Sequence, residues 1–325
     1  MAHDDRLLPS VIDAIGATPL VELHRVRRQF GLRGRLLAKL ECLNPGFSKK
    51  DRIAREMILE ARRDGLLAPG QPVIELTSGN TGTGLAIVCG ALGHPFIAVM
   101  SRGNTVERAR MMAALGAEVV LVDQAGGSPP HRVSGDDLAL VAARTDELAR
   151  ERGAFRADQF RHRGNVLAHE RHTGPEIWRQ SGGAVTCFVD FAGTAGTFTG
   201  VMRALRAENP LVTGYVVEPA TAAVLSGGPV TDASHRIQGG GYAMARLPLL
   251  DAALVTGHVA VTDDEAIAAA RLLARSEGIF GGVSAGANLA GALAVLRTHE
   301  PEATVAFIVC DSGLKYLSTD LYPAG

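Results

Sequence analysis

From residue 73 onward the chain alternates short, nearly all-apolar runs with segments of helical period, and this alternation restricts the fold more than any other feature. Apolar runs at 73–76, 96–100 and 119–122 predict strands, and the segments 82–92, 105–115 and 136–151 predict helices. Strands without polar alternation are covered on both faces, and helical crossovers between them make them parallel. The same alternation returns later, with strands expected at 187–191, 215–218, 259–261 and 305–310 and helices at 196–206 and 285–298. A further helix opens at the capping box Thr262-Asp263-Asp264-Glu265. The expected class is therefore α/β, as doubly wound units with mainly parallel sheets, in which ligands bind in a crevice beyond the carboxyl ends of the strands.

Ahead of this lies a helix and a strand, with Gly16-Ala17-Thr18-Pro19 as the turn before 20–23, and then a second strand at 36–41. The helix from Asp51 carries Ile53, Met57, Ile58 and Ala61 on one face and ends at Gly65. Its approach, Asn44-Pro45-Gly46-Phe47-Ser48-Lys49-Lys50-Asp51-Arg52, sets two lysines at a helix start, behind a turn and a hydroxyl able to cap. The positive end of the helix dipole and the neighbouring ammonium both favour a neutral amine, which is a nucleophile able to bond a carbonyl such as the aldehyde of pyridoxal phosphate. Two solvated charges in a first helical turn would read the same way.

Composition narrows the partners. The 33 basic and 34 acidic side chains nearly cancel, which removes the broad electrostatic case for nucleic acid or an anionic membrane and points to small molecules. Cys42, Cys89, Cys187 and Cys310 lie far apart in apolar surroundings, as reduced core thiols of a cytoplasmic protein do. No apolar run approaches bilayer-spanning length.

Three loops at strand-to-helix junctions are richer in glycine and hydroxyls than turns require. Thr77-Ser78-Gly79-Asn80-Thr81-Gly82 presents hydroxyls, an amide and backbone N–H groups at a helix start, where an anion is favoured. Gly193-Thr194-Ala195-Gly196-Thr197 has the make-up of a nest for a phosphate monoester, without the lysine of a Walker loop or a complete G-x-G-x-x-G. Gly281-Gly282-Val283-Ser284-Ala285-Gly286-Ala287 serves either a ligand or close helix packing. The segment 124–135, long and rich in Gly, Pro and Ser, reads as a lid, a binding loop or surface ornament. His169 and His172 flank Glu170 without a third ligand in view, so a packed or solvated helix is expected there and no metal.

Taken together these stretches resemble the fold-type II pyridoxal phosphate enzymes, and within them the cysteine synthase and cystathionine β-synthase group. The motifs N-P-G-F-S-K-K-D-R, T-S-G-N-T-G, D-Q-F, H-T-G-P-E-I-W, G-T-A-G-T, G-G-V-S-A-G and D-S-G-L-K-Y-L-S stand in the family's order over nearly the whole chain. The resemblance implies a fold like that of the tryptophan synthase β chain, with the active site between a smaller domain, 44–150, and a larger one made of 1–43 and 151–325. It implies pyridoxal 5'-phosphate as cofactor and Lys50 as the residue of the internal aldimine. Gly193, Thr194, Ala195, Gly196 and Thr197 would hold the phosphate, Asn80 the ring hydroxyl and Ser284 the pyridine nitrogen. The substrate carboxylate would rest on Thr77, Ser78, Thr81 and Gln159, with Gly239 and Tyr242 on the substrate side.

The implied reaction is β-replacement on an O-activated L-serine such as O-acetylserine, through an aminoacrylate, with sulfide or a thiol as nucleophile and cysteine or a relative as product. A serine hydroxyl at the ring nitrogen need not protonate it, which suits loss of a β-substituent better than transamination. Cystathionine β-synthase-like condensation with a bulkier thiol, or elimination by a lyase, are the neighbouring outcomes. A homodimer is implied too. Three features depart from the commonest pattern. Ala195 stands where glycine is usual, which is tolerable if its φ is negative. Gly239-Gly240-Gly241-Tyr242-Ala243 resembles cystathionine β-synthases more than cysteine synthases, and 124–135 is longer than a plain cysteine synthase calls for.

Overall fold

The apolar runs become the strands of two sheets in the computed structural model, which describes residues 7–77, 79–126, 133, 135–233 and 235–323. Near the amino end β1 (Leu20–Glu22) and β2 (Arg35–Lys39) pair antiparallel, joined through the short α1 (His24–Gln29), which is too brief to show a period in sequence. The expected strand at 36–41 stops at Lys39, and Glu41–Leu43 form a 3₁₀ turn that redirects the chain toward the lysines. Then α2 (Lys50–Arg63) buries Ile53, Met57, Ile58 and Ala61, the face its spacing predicted.

Strands β3 (Val73–Leu76), β4 (Phe96–Ser101), β5 (Glu118–Val122) and β6 (Phe155–Arg156) form a parallel sheet in the order β5-β4-β3-β6. Between them run α3 (Asn80–Leu92), α4 (Val106–Ala114) and α5 (Gly135–Glu151). The two-residue β6 carries no alternation and was not foreseen. Most of the 124–135 loop lies outside the described residues, although the Ala125 N–H donates to Asp137 Oδ1 at 2.7 Å.

A bend through α6 (Gly164–Ala168), a π-helical turn (His169–Thr173) and α7 (Gly174–Gln180) leads to the second sheet. Its remaining elements are β7 (Cys187–Phe191), α8 (Gly196–Glu208), β8 (Thr213–Pro219), β9 (Gly257–Val261), α9 (Asp263–Glu277), α10 (Val283–Ala294) and β10 (Thr304–Ile308). The capping box is formed at α9: Thr262 accepts from Glu265 N–H and Glu265 reaches back to Thr262.

The six strands order as β1-β2-β10-β7-β8-β9, parallel throughout except for β1. The chain runs outward from β7 to β8 and β9 and then returns to insert β10 between β7 and β2, which makes β7/β10 a switch point of the kind that opens a ligand crevice. The loops after β7 and β10 border that crevice, and the small sheet brings the loop after β3 to face them.

Candidate active site

The lysine loop is held from several sides. Asn44 Oδ1 accepts the Gly16 N–H at 2.9 Å, the Gly46 N–H donates to the Asp51 carboxylate, and the Lys49 N–H donates to the Cys310 carbonyl at 2.8 Å. Ser48 bridges to Asp311, so the loop leans on the end of β10, and Phe47 takes a positive φ of 61°. α2 then begins at Lys50, whose N–H donates to Ser48 Oγ at 3.3 Å. The two lysines do not behave alike, a difference that their shared place at the helix start does not foretell. Burial, and next to it the charge of Lys49, push the Lys50 amine down to about 8. Burial also disfavours the charge on Lys49, but Asp190 at 3.0 and 3.2 Å outweighs it and holds this amine above its ordinary value.

Across the cleft, the loop after β7 delivers its N–H groups and hydroxyls at the first turn of the 13-residue α8. Ala195 sits at the N-cap with φ +63°, in the left-handed region, so the negative φ that would have made it easy is not what the fold uses. The glycines around it have no room for a side chain: a Cβ on Gly193 would lie 2.6 Å from the Gly239 carbonyl oxygen, and one on Gly196 2.1 Å from Asn165 Oδ1. Two buried side chains aim the hydroxyls. Asn165 Nδ2 donates to Thr194 Oγ1 at 2.9 Å and to the Gln159 carbonyl at 2.7 Å. His169 Nε2 lies 3.2 Å from Thr197 Oγ1, with Nδ1 2.9 Å from Thr173 Oγ1. Burial, then the nearby Lys49 and Arg52, hold His169 well below the usual histidine range, so it is neutral. The π-helical turn gives it this placement, an irregularity common at functional sites. Two threonine hydroxyls and helix-start amides in a cradle with no room for a Cβ at Gly193 or Gly196 suit a phosphate monoester dianion.

On the third side, Thr81 Oγ1 donates to Gln159 Oε1 at 2.7 Å, and Gln159 Nε2 to the Leu76 carbonyl at 3.3 Å. Thr77 does not line the cleft: its buried hydroxyl accepts the N–H groups of Gly79 and Gly82 at 3.0 and 2.9 Å and so folds the loop. Ser78 lies outside the described residues. Asn80 faces the cleft while donating to Asp311 Oδ2 at 2.8 Å and accepting from Lys315 Nζ at 2.7 Å. Beneath Gln159, Glu75 of β3 is buried, with one oxygen 3.4 Å from the Gln159 N–H and the other unpaired, and burial pushes it up to about 8.

One cleft therefore gathers Lys50, Asn80, Thr81, Gln159, Gly193, Thr194, Ala195, Thr197, Gly239, Tyr242 and Ser284, drawn from both sheets. Gly196 stands behind it as the first residue of α8, and Ser284 lies in the first turn of α10. Tyr242 packs edge-on against Phe160 with ring centroids 5.8 Å apart. At the mouth, Arg108 of α4 donates to Gln238 and lies 5.9 Å from the Tyr316 ring centre. Sequence reading passed over Asp190, Arg108 and Gln238, which also line the cleft, and Asn165, which supports it from behind; it named Cys310 only as a core thiol and His169 only as a helix residue, and neither as part of the site. The carboxylate of Asp190 inside the apolar run 187–191 was the one signal available, since a charge in a doubly covered strand needs a partner.

Known proteins match this arrangement from end to end. The family model described as pyridoxal-phosphate dependent enzyme matches residues 11–311. Cysteine synthase B of Pseudomonas aeruginosa is 40% identical over 315 residues, 97% of each chain, and the O-ureido-L-serine synthase of Streptomyces lavendulae is 39% identical over 319 residues, 97% of this chain and 93% of that one. The crystal structure of O-acetyl serine sulfhydrylase isoform 3 from Entamoeba histolytica superposes with a TM-score of 0.89 at 36% identity, covering 100% of this chain and 94% of the other. The chain belongs to the pyridoxal-phosphate dependent enzymes, with the fold-type II architecture, and pyridoxal phosphate is its cofactor.

Proposed function

We propose that this enzyme carries out β-replacement on an O-activated L-serine of the O-acetylserine kind, with sulfide or a thiol as nucleophile, as the names of its relatives suggest. The observation that carries the reading is the placement of Lys50: a half-buried amine whose burial and cationic neighbour favour its neutral form, in a cleft that also holds a phosphate cradle.

In this reading Gly193, Thr194, Ala195, Gly196 and Thr197 bind the phosphate, Asn80 approaches the ring hydroxyl, and Ser284 offers its hydroxyl to the ring nitrogen. Thr81 and Gln159, with Ser78 and the loop that Thr77 folds, receive the substrate carboxylate, and Gly239 and Tyr242 border the reacting end. Pyridoxal phosphate held by these residues would supply the electron sink that makes the α-proton acidic and lets the β-substituent leave. Lys50 would take the α-proton on Nζ and return it after the nucleophile has added.

A nucleophile bulkier or more polar than sulfide is the second reading, favoured by the polar mouth formed by Arg108 and Gln238 beside Tyr242. Titrating the visible band of the purified enzyme with O-acetyl-L-serine and then with sulfide tests the first reading. A change reversed by sulfide, with cysteine formed, supports it; a change that sulfide leaves in place while another thiol reverses it selects the second. Pyruvate accumulating equally whichever thiol is supplied would mean elimination instead.

A division into a smaller unit, 44–150, and a larger one, 1–43 with 151–325, goes with this reading. The separate four-stranded sheet supports it, with β6 extending that sheet past residue 150. A cytoplasmic location is supported by four buried, unpaired cysteines. The homodimeric state rests on the family resemblance, and light scattering on the purified protein tests it.

A further inference from the structure

Lys49 and Lys50 are neighbours in sequence and both line the cleft, but among the described residues only Lys49 has a counter-ion. Its ammonium meets both oxygens of Asp190, a residue of β7 that is 1% exposed. Asn288 of α10 closes the far side, with Nδ2 3.4 Å from Asp190 Oδ1 and 2.8 Å from the Ile308 carbonyl, while its Oδ1 accepts the Phe191 N–H. The pair thus spans the lysine loop, β7, α10 and the end of β10. A buried ion pair is a poor device for stability, because apolar residues of similar volume do as well or better. Its position in the cleft, beside the amine that must be uncharged to react, indicates another reason for it.

We propose that Lys49 is a positioning residue for the reaction: its ammonium, fixed by Asp190, biases the neighbouring Lys50 amine toward the neutral, proton-accepting form. This rests on the reading of Lys50 as the lysine that bonds the cofactor. The physical basis is repulsion between like charges in a medium of low polarity, where a second proton on the pair is disfavoured. Asp190 is needed because an unpaired, buried Lys49 would itself lose its proton and with it the effect.

The other titratable groups around Lys50 do not substitute for it. Burial, the largest effect on each, leaves the Cys310 thiol at about 11 and Glu75 of β3 at about 8, so both are mainly uncharged at neutral pH. His169 of the π-helical turn is neutral. Lys49 is the cation among these neighbours of Lys50, and the Asp190 carboxylate that fixes it pulls the other way on Lys50, though less than burial and Lys49 do.

The test follows the protonation of Lys50 directly. The apo-protein is mixed with pyridoxal phosphate across the neutral and alkaline range, and the rate at which the visible band grows is measured for wild type, K49M, K49R, K49M/D190N and K50A. In K49M the acid limb of the rate profile should move up by about one pH unit, and K49R should restore it. The double variant removes the pair without stranding a charge and should move the limb the same way by a smaller step. The acid limb of kcat in the loaded enzyme should follow. Folded K49M or double variant, as judged by circular dichroism, with the wild-type limb would overturn the proposal; if K49M does not fold, the double variant decides. K50A separates the two claims: a band that still forms without Lys50 sinks the reading of Lys50 itself, whereas an unmoved limb with no band in K50A sinks only the role of Lys49.

Discussion

Arg52 of α2 and Glu176 of α7 meet through two side-by-side bonds, Nη1 to Oε1 at 2.8 Å and Nη2 to Oε2 at 2.7 Å. On its other edge the same guanidinium holds Glu41, with Nε to Oε2 at 2.7 Å and Nη2 to Oε1 at 2.8 Å, and Lys39 of β2 donates to Glu176 at 2.6 Å. Arg52, Glu41 and Lys39 are wholly buried. This network fastens the helix that begins at Lys50 to the six-stranded layer. Arg52→Met leaves the buried Glu41 carboxylate without its ion pair and Glu176 with Lys39 alone, and is expected to cost about 3–5 kcal/mol in urea unfolding. Arg52→Lys keeps the charge without the two-sided fork and should fall between the two. A loss under 1 kcal/mol for Arg52→Met, measured within about 0.5 kcal/mol, would show that the network is not what fixes α2.

The same contacts predict an acid limit. Burial alone would raise Glu41 and Glu176, but Arg52 beside both overrides it and holds each at about 2, against an ordinary 4.5. Carboxyls depressed in the folded state stabilise fully above their unfolded value and lose that contribution as the pH falls through the folded one. The contribution of these two carboxyls to thermal stability should therefore be full above about pH 4.5 and decline toward pH 2, the window they define. Thermal melts across that window check it. Arg52→Met should show a much smaller component, since Lys39 is then the one cation left to hold these carboxyls down.

What the sequence made legible was whatever repeats or caps. Val73–Leu76 and Cys187–Phe191 were bounded correctly because fully covered strands show as unbroken apolar runs, and the α9 capping box stands in four consecutive letters. The cleft was legible wherever a loop breaks such a run with glycine and hydroxyls. Illegible were features made by contacts between distant residues. Nothing local says that Lys49 finds Asp190, 141 positions on, or that Thr77 spends its hydroxyl inside its own loop. β6 was too short to carry a period, and the helical segment around His169 hid a π turn that spacing cannot separate from an α-helix. The sign of φ at Ala195 was likewise invisible, because the left-handed region is disfavoured but not forbidden to alanine and the surrounding fold decides it.

That φ of +63° is itself testable. A left-handed residue with a Cβ is disfavoured, and glycine is not, so Ala195→Gly should stabilise the apo-protein by about 1 kcal/mol in urea unfolding. The backbone of the cradle should be unchanged, and with it the affinity for pyridoxal phosphate within about twofold. A destabilised Ala195→Gly would mean that the methyl group, 3% exposed, contributes more by packing than its backbone conformation costs.

Asn165 links the two ligand-binding loops through one amide, donating to Thr194 Oγ1 and to the Gln159 carbonyl, while its Oδ1 has no partner and faces Gly196. Asn165→Ala should leave the fold intact but free the Thr194 hydroxyl and the Gln159 turn together. Losing one or two such bonds is worth about 1–2 kcal/mol, so the dissociation constant for pyridoxal phosphate should rise about tenfold, with KM for the amino acid rising alongside. Asn165→Asp keeps the shape and reverses the chemistry: the donor becomes an acceptor, and a negative charge stands behind a cradle built for a phosphate. It should therefore bind the cofactor more weakly than the alanine variant, with the deficit shrinking as acid protonates the new carboxyl. Equilibrium dialysis of the apo-proteins with pyridoxal phosphate measures both effects. If the aspartate variant binds as well as the alanine one at neutral pH, the phosphate does not lie over Thr194, and the cradle after β7 has another ligand.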